Sequence, residues 1–266
     1  MIDPGRLLDL FVEITSTNSF YPHEDKVAEI LRSKLEPVGI SLCADEHRNQ
    51  FAHWPGTGKL AKREPILLCA HMDTVVPTTG MYPVIRDGAV HSDGSSVLGA
   101  DDKAAVAAIV EAAVAVGNAD MEHPPVEFLF TVGEDVGHIG SKAFGVSPVR
   151  SSMAFIPDIG GPVGLISLAA PGGETVHVRF RGRAAHAGLE PEAGRSAIAM
   201  AASAIHNMQL GRIDDETTAN VGVITGGEAA NVIPAETEVT MQVRSIDPHR
   251  QQEVLDEMLA CCRQAA

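Results

Sequence analysis

Four side chains able to hold a metal ion, His71, Asp101, Asp135 and Asp158, fall at the ends of apolar runs or at a helix start. Imidazole combined with carboxylates suits zinc, manganese or cobalt better than soft-metal chemistry. Glu134 stands beside Asp135 and need not be a ligand. A free carboxylate next to a metal-activated water is what amide hydrolysis requires, because it can take the water's proton and pass it to the leaving amine. Asp73, two residues beyond His71, can hydrogen-bond the second imidazole nitrogen and fix the tautomer. Each position has a plainer reading. His-x-Asp can be a polar pair at a turn, Asp101-Asp102 a helix start, Glu134-Asp135 a solvated loop and Asp158 a turn before Gly160-Gly161. Four such coincidences at strand ends together point to a metal site. A metallophosphoesterase would want a DxH order at these strand ends and a GNH-type motif; the order here is His71-x-Asp73, and no GNH occurs.

Positioning these groups requires short buried strands. PILLCAHMDTV, residues 65–75, opens with the apolar run Ile66 to Ala70, which reads as a buried strand of a mostly parallel sheet. His71 and Asp73 then emerge at its carboxyl end, where open α/β sheets place ligands. VEFLFTVGEDVG, residues 126–137, and MAFIPDIGG, residues 153–161, repeat the pattern with Glu134-Asp135 and Asp158 at their ends. Amphipathic helices are predicted over 3–15 and 22–36, with Pro22 in a first turn and Gly39 ending the second. Short strands are expected at 40–45 and 50–54. Residues 83–92 read as a hairpin, since Asp87-Gly88 suits a type I′ turn. An Ala-rich helix runs from Lys103 to Val116, with Asp101-Asp102 at its start, where carboxylates suit the helix dipole.

The pattern changes after Pro171-Gly172-Gly173. Residues 175–181 alternate, with Val176, Val178 and Phe180 on one face and His177, Arg179 and Arg181 on the other, as in a half-buried antiparallel strand. A helix at about 195–209, strands at 220–225 and 236–244, and a helix from Pro248 follow. The inner face of the last strand carries Val239, Met241 and Val243. This β-α-β-β-α order lacks the final strand of a ferredoxin-like β-α-β-β-α-β unit.

The 266 residues suit one large domain or two smaller ones. A net charge of -15 disfavours nucleic acid and anionic membranes as partners. No signal peptide and no bilayer-spanning apolar segment are expected. The four cysteines, Cys43, Cys69, Cys261 and Cys262, lack zinc-ribbon spacing and a disulfide framework, which fits a reducing cytoplasm.

HMDTV, SDGSSVLGADDKAA, TVGEDVG, AAHAG and NVIP, in this order, resemble the co-catalytic zinc metallopeptidases that include peptidase T, aminoacylase and carboxypeptidase G. SDGSSVLGADDK, AHAGLEPEAGRSAI and LGRIDDETTANVG resemble most closely the peptidase T-like tripeptide aminopeptidases. The resemblance implies two zinc ions per subunit, with cobalt or manganese as substitutes. His71 and Asp158 would bind one metal, Asp101 would bridge, and Asp135 would bind the second. Glu134 would be the general acid/base and Asp73 would orient His71. An inserted lid, often used for dimerisation, would supply His186 for oxyanion stabilisation, with Asn231 and Arg244 holding substrate. His91, Asp102 and His138 are given no role.

Two departures bear on this. Many relatives have Glu-Glu where this chain has Glu134-Asp135, one methylene shorter at the second ligand. The family's last metal ligand is a histidine near the carboxyl end, and no residue here fills that position. The second metal would then keep only Asp101 and Asp135.

The expected fold is α/β: a mostly parallel mixed sheet flanked by helices at 1–170, as in zinc exopeptidases, and an α+β lid at 171–266 without its last strand. The expected function is metal-dependent removal of the N-terminal residue from tripeptides or other short peptides. The alternatives are an inactive or single-metal remnant, and an N-acyl-amino-acid amidohydrolase. A homodimer through the lid is expected, with no nucleic-acid or membrane partner.

Overall fold

The computed structural model describes all 266 residues. The chain divides into two compact units, Met1–Gly161 and Pro162–Ala266.

In the first unit, α1 (Pro4–Thr15) starts where Asp3 accepts hydrogen bonds from the amides of Gly5 and Arg6, with Pro4 in the first turn. Helix α2 (Asp25–Leu35) buries Val27, Ala28, Leu31 and Leu35 at helical spacing. It begins three residues after Pro22, so that proline precedes the helix rather than opening it. Then come β1 (Cys43–Ala44), β2 (Gln50–Trp54), β3 (Ile66–His71) and the hairpin β4 (Pro83–Arg86) and β5 (Ala89–Ser92). In the hairpin turn Asp87 and Gly88 both have positive φ, 53° and 76°, as a type I′ turn requires. Helix α3 (Ala100–Asn118), β6 (Val126–Thr131), the short α4 (Ile139–Ala143) and β7 (Met153–Phe155) complete the unit.

The five-stranded sheet has the order β1-β2-β6-β3-β7. Strand β3 runs parallel to both β6 and β7, while β1 and β2 add antiparallel. The sheet is therefore mixed, and its parallel half carries the chemistry-bearing ends. Ala52, Trp54, Ala70, Phe128 and Phe130 pack from the sheet against Leu10, Ile14, Leu31, Val106 and Val110 of α1, α2 and α3. The strand expected at 40–45 shrinks to two residues, because Ile40 and Leu42 bury into this core ahead of it without joining the ladder.

The second unit contains β8 (Gly172–Arg181), β9 (Ala185–His186), α5 (Ala197–Asn207), β10 (Gly211–Arg212), β11 (Thr217–Gly226), β12 (Val232–Ile233), β13 (Glu236–Ser245) and α6 (Pro248–Ala265). Its main sheet, β10-β11-β13-β8, is antiparallel throughout. Phe180, Val239, Met241 and Val243 alternate onto one face and meet Ala197, Ala201 and Ala204 of α5 and Val254, Leu255 and Met258 of α6. The opposite face is polar, with cross-strand ion pairs Arg179–Glu238 and Arg181–Glu236. Strands β9 and β12 form a separate two-stranded ribbon. No helix is long and apolar enough to cross a membrane.

Candidate metal centre

The carboxyl ends of β3, β6 and β7 lie side by side because those strands are parallel neighbours. His71 is the last residue of β3 and is buried, as are Met72, Asp73 and Thr74 behind it. Its Nε2 lies 3.4 Å from Asp101 Oδ1, and its Nδ1 lies 3.3 Å from Asp73 Oδ1. The Nδ1 contact is close but poorly aligned, and that nitrogen has no proper hydrogen-bond partner. Burial disfavours the imidazolium, yet the hydrogen-bonding reach and charge of Asp73, with the charges of Asp102 and Asp158, outweigh it and raise His71 to about 9.

Asp73 does more than face the imidazole. Its Oδ1 accepts the Glu134 amide at 2.9 Å and its Oδ2 accepts the Asp135 amide at 3.1 Å. The turn after β6 is thus fastened to the end of β3. Gly133 makes this turn possible with φ 60°, and a Cβ there would sit 2.8 Å from Tyr21 Cδ2. The Gly133 amide in turn donates to the buried carboxylate of Glu24 at 3.1 Å. Glu134 is left half-buried and Asp135 exposed.

Asp101 and Asp102 depart from helical backbone at the start of α3. Asp101 is exposed and Asp102 buried, with one oxygen of Asp102 lacking any partner. Ligand atoms of His71, Asp102 and Asp158 lie within 4.8 Å of one another, and so do those of His71, Asp73 and Asp135. Next to them Lys103 is fully buried, its Nζ donating to the Thr17 carbonyl at 2.8 Å, and burial lowers it to about 8.

Of the residues expected as ligands, His71 is common to both groups, Asp158 joins it in one and Asp135 in the other, while the exposed Asp101 belongs to neither and only approaches His71 Nε2 at 3.4 Å. Two residues given no role also lie here. Asp102 faces His71 and Asp158, and His138 lies 3.1 Å from Glu134. His91, in β5, joins neither group. In the second unit, His186 and Asn231 come together: β9 pairs with β12, and the Ala187 amide donates to the Asn231 carbonyl at 2.9 Å. Arg244 sits on β13, exposed, and donates to Gln242.

The donor set fits a divalent cation. Burial and mutual repulsion hold Asp102 at about 7 and raise Glu134, Asp135 and Asp158 above the ordinary carboxylate range. One imidazole cannot offset that much negative charge, whereas a dication among these oxygens would, and it would also engage the unpartnered Asp102 oxygen.

Parallel strand ends and the start of α3 thus gather a buried imidazole, five aspartates and the Glu134 carboxylate, a set suited to metal-assisted hydrolysis. Comparison with known proteins makes the class specific. The model of peptidase family M28 matches residues 49–208, and that of the peptidase dimerisation domain matches residues 168–266. A Bacillus subtilis protein, YqjE, is 39% identical over all of this chain and 73% of its own length. The crystal structure of aminopeptidase PepT from Bacillus cereus superposes with a TM-score of 0.88 at 35% identity, covering 100% of this chain and 73% of that one. A Staphylococcus aureus tripeptidase gives a TM-score of 0.92 at 32% identity, covering 100% and 72%. The chain belongs to the metallopeptidase family of peptidase T.

Proposed function

We propose that this chain carries the site of a dinuclear-zinc aminopeptidase that removes the N-terminal residue from tripeptides and other short peptides. The observation that carries this reading is the double hold of Asp73 on the Glu134 and Asp135 amides, beside His71. It sets the Glu134 carboxylate beside Asp135 and His71, which supports reading Glu134 as the proton carrier that metal-assisted amide hydrolysis needs. His71 and Asp158 would hold one zinc, Asp101 would bridge, and Asp135 would take the second. Bound metal would lower the pKa of a ligated water and polarise the scissile carbonyl. Glu134 takes the water's proton and returns it to the departing amine. Asp73 keeps the imidazole of His71 and the Glu134–Asp135 turn in register. By resemblance, His186 stabilises the developing oxyanion, and Asn231 and Arg244 bind the substrate.

The dimerisation-domain match supports a homodimer, for which β8, at one end of its sheet, offers a free edge. A monomer in sedimentation equilibrium at high concentration would remove that part of the reading. Four free cysteines agree with a cytoplasmic setting.

The test is turnover by the zinc-loaded chain. Release of a free N-terminal amino acid from tripeptides, lost in Glu134→Ala, supports the proposal. Turnover confined to N-acyl amino acids would make the chain an amidohydrolase instead. A second reading, a folded chain that binds one metal without catalysis, is favoured by the exposure of Asp135 and by His71 being common to both ligand groups. One tight zinc per chain without turnover would establish it.

A further inference from the structure

The Glu134 carboxylate has a neighbour that metal binding does not explain. His138 Nδ1 lies 3.1 Å from Glu134 Oε1. The backbone builds this contact. The amides of Gly137 and His138 both donate to the Glu134 carbonyl, at 3.0 and 2.8 Å, and His138 takes the left-handed conformation with φ 58° and ψ 40°. The chain therefore doubles back and lays the imidazole over the carboxylate it passed four residues earlier. A non-glycine residue in that conformation is uncommon, and a β-branched or long side chain would be strained there. The position is then held by α4, whose Lys142 amide donates to the His138 carbonyl at 3.0 Å.

We propose that His138 is a positioning residue for Glu134. The 3.1 Å contact is close but not aligned as a hydrogen bond; a small rotation of the exposed ring would let the neutral imidazole donate its Nδ1–H to Glu134 Oε1, fixing the carboxylate's rotamer and leaving Oε2 free for the reacting water. An imidazole 57% exposed adds little to stability through such a bond. Its effect lies in where the half-buried carboxylate points, and small displacements of a catalytic group are costly in rate. The catalytic part of this inference rests on the reading of Glu134 as general acid/base; the contact itself does not.

Two measurements on the full chain test it. The first is the imidazole ¹⁵N spectrum of the metal-free chain at about pH 9, where an ordinary histidine is neutral. The Nδ1–H tautomer is expected for His138 in the wild type, and the Nε2–H tautomer in Glu134→Ala. An Nε2–H tautomer in the wild type overturns the proposal whatever the activity. The second compares His138→Gly with His138→Asn in the zinc-loaded chain. Both residues tolerate the left-handed backbone, but only the asparagine side chain puts an N–H donor near the Nδ1 position. The glycine variant is expected to lose about tenfold in kcat with KM unchanged, and the asparagine variant to recover most of it. Equal rates for wild type and both variants overturn the positioning role while leaving the peptidase reading intact. A wild-type chain that cleaves no tripeptide overturns that reading, and the catalytic half of this inference with it, and the tautomer still decides whether the contact exists.

Discussion

The Asp73 carboxylate accepts the Glu134 amide at 2.9 Å and the Asp135 amide at 3.1 Å, so one buried side chain fixes both residues of the acidic pair. It also stands 3.3 Å from His71 Nδ1. Hydrogen bonds from two amides and the imidazole's charge outweigh its burial and hold Asp73 below the usual carboxylate range. Asp73→Asn would replace one acceptor oxygen with an NH₂ group facing an N–H. Zinc affinity is expected to fall about 10- to 100-fold, the usual cost of losing a group that orients a metal ligand. Competition against a chelator measures it, and wild-type affinity in the variant would show that the turn holds without Asp73.

Much of this site is visible in the sequence. His71, Asp135 and Asp158 follow apolar strands, and parallel neighbours bring their ends together without further information. The inward positions of Asp102 and His138 are not visible, because each depends on backbone that periodicity does not encode. Asp102 turns inward where the start of α3 leaves helical geometry, and His138 swings back through a left-handed residue. Glu127 is a further case. It lies within a run that reads as a plain apolar strand, and only the fold shows which donors meet it.

Glu127 is fully buried in β6, and its carboxylate accepts the amides of Arg150 and Ser151 at 3.0 and 2.9 Å together with the Ser151 hydroxyl. Burial pushes its pKa up, but these bonds and the charge of His53 win and hold it below the usual carboxylate range. A lowered native pKa stabilises above the unfolded value and loses that contribution as the pH falls through the native one. Glu127→Gln is therefore expected to cost about 1–3 kcal/mol at neutral pH, because an NH₂ group would meet these donors. The difference from wild type should shrink as the pH drops below about 4.5. Urea unfolding at pH 7 and pH 3 checks it; a gap that persists at pH 3 would place the effect in packing instead.

Met241 is fully buried in β13 among Val239, Val243 and Phe180, with α5 and α6 above it. Met241→Ala removes that packing and leaves a cavity, which is expected to cost about 2–5 kcal/mol. Amide exchange along β13 in the full chain reads this directly. Exchange at the wild-type rate would mean that the second unit's core closes over the gap.

Asp101 and Asp102 differ in burial at the start of α3. The exposed Asp101 carboxylate reaches the Nε2 side of His71, while Asp102 lies buried against the same imidazole with one oxygen unpartnered. If Asp101 bridges two metals, Asp101→Ala disrupts both sites at once, and zinc retained after dialysis should fall to one equivalent or none. Asp102→Asn keeps the shape and an oxygen donor but removes a charge that burial already penalises. It should retain the wild-type zinc count with weaker affinity. The opposite outcome, full zinc in Asp101→Ala and loss in Asp102→Asn, would make the buried aspartate the ligand and the exposed one its neighbour.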